Sequence, residues 1–198
     1  KYAKEPIDLI ISTDDKAYEF LLRYDDELFP SVPIIFCGVN YFDPKSLTGR
    51  KRITGIVEST DTGGTLDLIM RLQPSVRKIV FISDSSSFGQ QETAEVKALI
   101  ATSRWLAPDK FEFWIDLTLP ELTERLASLP DDSAAVYLTV VRDRNSEAFS
   151  ESDQLPELVA KSRVPIYGNN AHLLQYGVIG RSMKSAWHHG RDAGRLAE

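Results

Sequence analysis

Cysteine is almost absent: Cys37 stands alone in 198 residues, which excludes an intramolecular disulfide framework and any cysteine-built metal site. Basic charge is not in excess either. Lys and Arg number 23 against 29 Asp and Glu, a net charge of −6, so no broad positive field draws in nucleic acid or an anionic lipid surface. No apolar run is long enough to span a bilayer, and no charged-then-apolar leader is visible at Lys1. A processed chain or a segment of a longer one is therefore expected, with membrane contact only through parts outside it. The sequence also lacks a phosphate-cradling Gly-Lys-Ser/Thr loop, a Gly-x-Gly-x-x-Gly turn, a His-Glu-x-x-His helix and a Gly-x-Ser-x-Gly elbow. Their absence removes the common nucleotide-binding, zinc-protease and hydrolase readings, and no catalytic residue, metal or cofactor is expected.

What is present is ordinary globular composition, 42% hydrophobic and 26% charged, which excludes disorder and leaves room for one large domain or two small lobes. Short apolar runs alternate with stretches of helical period. The runs Ile7–Ser12, Pro33–Cys37, Ile53–Val57, Lys78–Ser83, Phe111–Ile115, Ala134–Val140, Pro165–Gly168 and Gly177–Gly180 read as strands. Several are apolar on both faces, as in Ile79-Val80-Phe81-Ile82, which predicts an α/β fold with parallel sheets covered on both sides. Ala17, Phe20, Leu21, Tyr24 and Leu28 recur at steps of three and four and predict one apolar helix face; Leu119, Leu122, Leu126 and Leu129 predict another. Thr118–Glu121 and Ser87–Gln90 match the capping-box pattern. Thr60–Gly64 reads as a flexible polar crossover before a helix from about Thr65 to Leu72, and Gly177–Ser185 as a second crossover. Gly190, Ala193, Gly194 and Ala197 predict a last helix that packs closely through small residues.

In such a fold ligands bind outside the carboxyl ends of the strands, and those positions are polar here. They read Ser12-Thr13-Asp14-Asp15, Cys37-Gly38-Val39-Asn40, Ser83 through Ser87, Thr139 through Asp143 and Gly168-Asn169-Asn170. Each residue alone reads as a helix cap; the five clusters together read as a cleft for a small polar ligand, especially one carrying a carboxylate. Tyr41 and Phe88 adjoin two of these clusters and are the aromatics expected in a pocket, whereas Trp114 and Trp187 are expected in the core. His172 lies beside a strand end and is a further candidate. Arg142 and Arg144 read either as solvated or as a cationic hook for a ligand carboxylate. His188 and His189, about 100° apart on a helix, are not a metal-ligating pair and read as surface residues. Cys37 reads as a small buried hydrophobe. Asp14-Asp15, Asp84 and Thr139 are arranged somewhat like a phosphorylation receiver, but Asp15 and Asp84 are too far apart for one βαβ step, so a receiver or small α/β enzyme is the lowest-ranked reading.

Val32–Phe36, Arg52–Gly55, Gly64 through Gln73-Pro74 and Arg77–Ile82, followed by Val164–Gly168, Gly177–Gly180 and His189–Ala197, resemble the type I periplasmic binding proteins of the ABC-transporter substrate-binding family. Phe36–Pro44 and Ile56–Glu58 are most similar to the sensor domains that bacterial histidine kinases and related signalling proteins carry outside the membrane. The resemblance implies two doubly wound parallel-sheet lobes, 1–60 as a partial first lobe, 61–182 as the second and 183–198 as a helix returning to the first. It implies a small-molecule ligand, an amino acid or other small polar solute, held between lobes that close by hinge motion. The function implied is a non-enzymatic, extracytoplasmic sensor domain; a solute-binding protein of an ABC importer is the alternative. Nominated ligand residues are Thr13, Asp14, Cys37, Gly38, Asn40 and Tyr41 from the first lobe, and Ser85, Ser86, Ser87, Phe88, Arg142, Asn169, Asn170 and His172 from the second. The family's first lobe begins with two further βα units. The amino-terminal portion is thus expected to be missing, with strand edges left for partner chains such as a second copy to cover. Ser83–Ser87 replaces the family's Asn-Pro-Ser type of loop, leaving the ligand undefined.

Overall fold

The computed structural model describes residues 6–40, 42–103, 107–180 and 183–198. By internal contact the chain divides into two compact units, one formed by Lys1–Ser59 with Lys184–Glu198 and the other by Thr60–Met183.

The first unit carries a parallel sheet in the order β1 (Ile10–Thr13), β2 (Ile34–Val39), β3 (Ile53–Val57). The central strand is apolar throughout because both its faces are covered. Ile34, Phe36 and Val39 pack under α1 (Asp15–Leu28), while Ile35 and Cys37 pack against Ala193 of α6 (Ala186–Leu196). The expected apolar stripe of α1 is only partly its buried face: Ala17, Phe20 and Leu28 are exposed, and the buried residues are Tyr18, Leu21 and Asp25. Two contacts turn the helix this way. The Tyr18 ring packs 4.7 Å from Phe36 and its hydroxyl bonds Ser46 at 2.8 Å. Asp25 is neutralised by Arg50 at 2.6 Å and Arg52 at 3.5 Å, which removes the cost of burying its charge unpaired. On α6 the residue buried against the sheet is Ala193; a methyl group at Gly190 or Gly194 would meet nothing within 4 Å, so these glycines are not there for close packing.

The second unit carries a parallel sheet in the order β5 (Phe111–Ile115), β4 (Lys78–Ser83), β6 (Ser133–Tyr137), β7 (Ile166–Gly168). Alternate residues serve opposite faces. Ile79, Phe81, Ala134 and Val136 pack under Leu66 and Ile69 of α2 (Thr62–Leu72) and Val96 and Ile100 of α3 (Ser87–Thr102). Val80, Ile82, Ala135 and Tyr137 pack under α4 (Leu119–Ser128) and α5 (Glu151–Lys161). Trp114 is buried as expected, but Trp187 is 68% exposed, with the Arg191 guanidinium 5.0 Å over its ring.

Strand and helix limits shift where caps intervene. The run at Gly177–Gly180 contributes a single parallel bridge from Ile179 to Tyr167 rather than a strand. Thr62–Gly64 is not a flexible crossover but the first turn of α2, capped by Asp61, whose carboxylate accepts the Gly64 N–H at 2.7 Å. The Thr118–Glu121 capping box forms. At α3 the cap is Ser86, not Ser87: its hydroxyl accepts from Gly89 N–H, and the Gln90 side chain bonds the Ser85 carbonyl instead of closing a box.

Candidate functional site

In the first unit the carboxyl ends of the strands surround a cavity of about 290 Å³. Thr13 and Asp14 border it where β1 passes into α1, and Cys37, Gly38 and Asn40 border it at the end of β2. These five residues, far apart in sequence, are thus brought together; Tyr41 lies outside the described residues. The local backbone is built for the close approach. Asp14 adopts φ 77° and caps α1 by accepting the Asp15 N–H at 2.7 Å, and Gly38 adopts φ 69°, where a Cβ would stand 3.4 Å from the Asp14 nitrogen. Asp15 in turn holds Asn40, accepting its backbone N–H at 3.0 Å and its amide at 3.2 Å. Lys184 donates to the Asn40 Oδ1 at 3.4 Å. Asn40 is therefore fixed on both sides of its amide.

Three further wall positions come from segments that sequence reasoning passed over. Glu58 follows β3, and Ala186, His189 and Gly190 come from α6. His188 is exposed, but His189 is not a simple surface residue: its Nδ1 is buried without a hydrogen-bond partner. A signal existed, since on a helix His189 and Ala193 lie four apart and share the face that turns to the sheet. The Cys37 thiol is buried, and its pKa is raised first by that burial and then by the Glu58 carboxylate. It is therefore a poor nucleophile at neutral pH.

In the second unit β4 lies between β5 and β6, so the chain runs in opposite directions along the sheet from it, and the crevice between the ends of β4 and β6 is where ligands usually enter. Here the crevice is filled by the protein. Asp84, 1% exposed, accepts the backbone N–H of Val141 at 2.6 Å and of Arg142 at 3.2 Å with one oxygen, and Ser86 N–H and Oγ with the other. A carboxylate so enclosed is unsuited to phosphoryl transfer, which counts against the receiver reading. Ser86 is thereby committed to Asp84 and to its capping bond, whereas Ser85 and Ser87 are exposed. Ser85 is positioned through its N–H, which donates to Asp116 at 2.7 Å.

Other nominated residues are partly engaged. Arg142 donates to the Ser146 carbonyl at 2.8 Å and Arg144 pairs with Glu121, so both basic side chains brace the 141–150 loop. His172 bonds Glu151 at 2.8 Å, and Glu151 also accepts the Tyr137 hydroxyl at 3.1 Å, so this histidine is tied through Glu151 to β6. Burial, then Glu151, raises the Tyr137 phenol above its ordinary pKa. Phe88 is half-buried in the first turn of α3, and Asn170 is half-buried at the start of a 3₁₀ turn, Ala171–Tyr176. Asn169 is buried, donating to Glu92 at 3.3 Å, and Glu92 also accepts the Thr139 hydroxyl at 2.7 Å. The Asn169 Oδ1 is buried without a partner. Among the described residues no group of three or more His, Cys, Asp or Glu is placed to hold a metal ion, and no helix is long and apolar enough to cross a membrane.

No protein-family profile matches the chain, and no curated protein matches it in sequence. Among solved structures it is similar to the ABC domain in complex with L-Trp from Streptococcus pneumonia, with TM-score 0.60 and 16% identity over 98% of this chain and 65% of that one. The chain thus spans less than two thirds of that neighbour's length. The likeness shows the fold, which is α/β and periplasmic-binding-like.

Proposed function

We propose that this chain is the small-molecule-binding sensor domain of a membrane signalling protein of the histidine-kinase type, placed outside the cytoplasm and without catalytic activity of its own. The observation that carries the binding function is the first-unit cavity, where Thr13, Asp14, Cys37, Gly38 and Asn40 converge on one space at the carboxyl ends of two adjacent strands. The fold supports this reading, and its solved neighbour holds L-Trp. In the second unit the exposed Ser85 and Ser87 and the unpaired Asn169 oxygen are polar groups with capacity left. Signalling would follow from a ligand that binds one conformation of the chain better than another. The name of that neighbour, an ABC domain, favours a second reading as the solute-binding component of an importer.

The test is a thermal-shift screen of amino acids, purines and sugars, because a ligand that binds only the native state raises its melting temperature. A hit whose affinity falls in Asn40→Ala supports the cavity assignment. A hit whose affinity is untouched by that change places binding elsewhere. In the parent protein reconstituted in vesicles, the sensor reading expects the hit to alter autophosphorylation; unaltered autophosphorylation together with ligand-stimulated ATPase of an importer selects the transport reading.

A further inference from the structure

The walls of the first-unit cavity are chemically one-sided. Asp14 and Glu58 bring carboxylates to it, and among the described residues no lysine or arginine lines it. The polar groups also differ in what they have left to offer. Asp14 caps α1, and the Asn40 amide is held by Asp15 on one side and Lys184 on the other. The Glu58 carboxylate, by contrast, makes no hydrogen bond or ion pair among the described residues; only its backbone N–H is engaged, by the Val39 carbonyl at 2.8 Å. His189 also borders the cavity, and its Nδ1 is buried and unpartnered. A buried nitrogen left unpaired is costly, so an occupant that pairs with it is favoured.

We infer that this cavity is a subsite for a protonated amine, with the Glu58 carboxylate as counter-charge and His189 Nδ1 accepting one of the ammonium hydrogens. The inference rests on the reading that the chain binds a small molecule here, and it names the ligand class. It reverses the emphasis of the sequence, in which hydroxyls, amides and helix amino ends point to a ligand carboxylate. One N–H at the start of α1, that of Asp15, is already taken by the Asp14 carboxylate, and the backbone N–H groups of Val141 and Arg142 are taken by Asp84. The imidazole that accepts from the amine is the neutral tautomer carrying its proton on Nε2.

Isothermal titration of the whole chain with benzylamine, putrescine and glycinamide, each beside its N-acetylated counterpart, tests this. The expected result is that at least one amine binds, that acetylation weakens it by about tenfold or more, and that Glu58→Gln weakens the amine by a similar factor while leaving the melting temperature of the free protein in place. His189→Phe is expected to weaken it severalfold, and the His189 ring signals in NMR are expected to move on adding the amine. Equal affinity for an amine and its acetylated form, a comparison that needs no variant, overturns the inference. So does amine binding indifferent to Glu58→Gln. If no amine binds while a carboxylate or sugar from the wider screen does so in an Asn40-dependent way, the amine subsite is wrong and the binding function stands. If neither set binds, both fall.

Discussion

The carboxylate of Asp84 at the end of β4 accepts the backbone N–H of Val141 beyond the end of β6 at 2.6 Å, joining residues 57 apart in sequence. This contact closes the crevice of the second sheet with a protein group and fixes the start of the 141–150 loop. Asp84→Asn keeps the shape but turns an N–H₂ group toward backbone donors, so a loss of about 2–4 kcal/mol is expected in urea unfolding. Incubation of the wild-type chain with acetyl phosphate is expected to give no phosphoryl adduct at Asp84; a stable adduct would mean the enclosure opens.

Glycines in the first unit divide sharply. At Gly55, opposite Phe36 in the β2–β3 ladder, a Cβ would stand 2.2 Å from the Phe36 carbonyl oxygen, and that backbone cannot move aside without breaking the ladder. Gly55→Ala is expected to destabilise by about 2 kcal/mol or more. Gly194→Ala, in open space within α6, is expected to stabilise by about 0.5–1 kcal/mol through helix propensity and reduced freedom of the unfolded chain. Paired denaturation curves check both signs.

Glu121 completes the capping box of α4. The Thr118 backbone N–H, then Arg144, then the Thr118 hydroxyl lower its pKa from 4.5 to about 2. A carboxyl with a lowered folded-state pKa adds stability above its ordinary value and loses it as pH falls through the folded one. The melting-temperature difference between wild type and Glu121→Gln is therefore expected to be constant above about pH 5 and to shrink as pH drops toward 2. A difference unchanged at pH 2.5 would contradict the assignment.

Cys37 offers a probe of the first-unit cavity. Its sulfur is buried and its thiol pKa raised by burial and by Glu58. Maleimide labelling at pH 7 is expected to be slow in the native chain and fast in urea. A ligand filling the cavity is expected to slow the native reaction further. Native labelling as fast as in urea would show that the sulfur is not enclosed.

The sheets were legible in the sequence because several short strands, β2 and β4 above all, are apolar on both faces and alternate with stretches of helical period. Element ends were less so, since they depend on partners distant in the chain. β6 stops at Tyr137 instead of Val140, and Asp84 gathers the N–H groups just beyond it. The buried face of α1 was misassigned because a buried Asp25 makes sense only once Arg50 and Arg52 are in place, and periodicity cannot see them. In the candidate site, strand-end positions were found because their location follows from the fold. Glu58 and His189 were missed because one follows an edge strand and the other joins the cavity from a helix more than a hundred residues later in sequence.

The discontinuity of the first unit has a consequence for biosynthesis. Its three strands and α1 are translated before the second unit, yet Ile35 and Cys37 lose their exposure to water only when Ala193 arrives on the last helix. The second unit is one unbroken stretch with both faces of its sheet covered by its own helices. On the ribosome the later-made unit is thus the first able to complete its fold, while the earlier one waits, half-clad, for the eleven residues of α6. Chaperone dependence and sensitivity to premature termination should therefore concentrate on the segment made first.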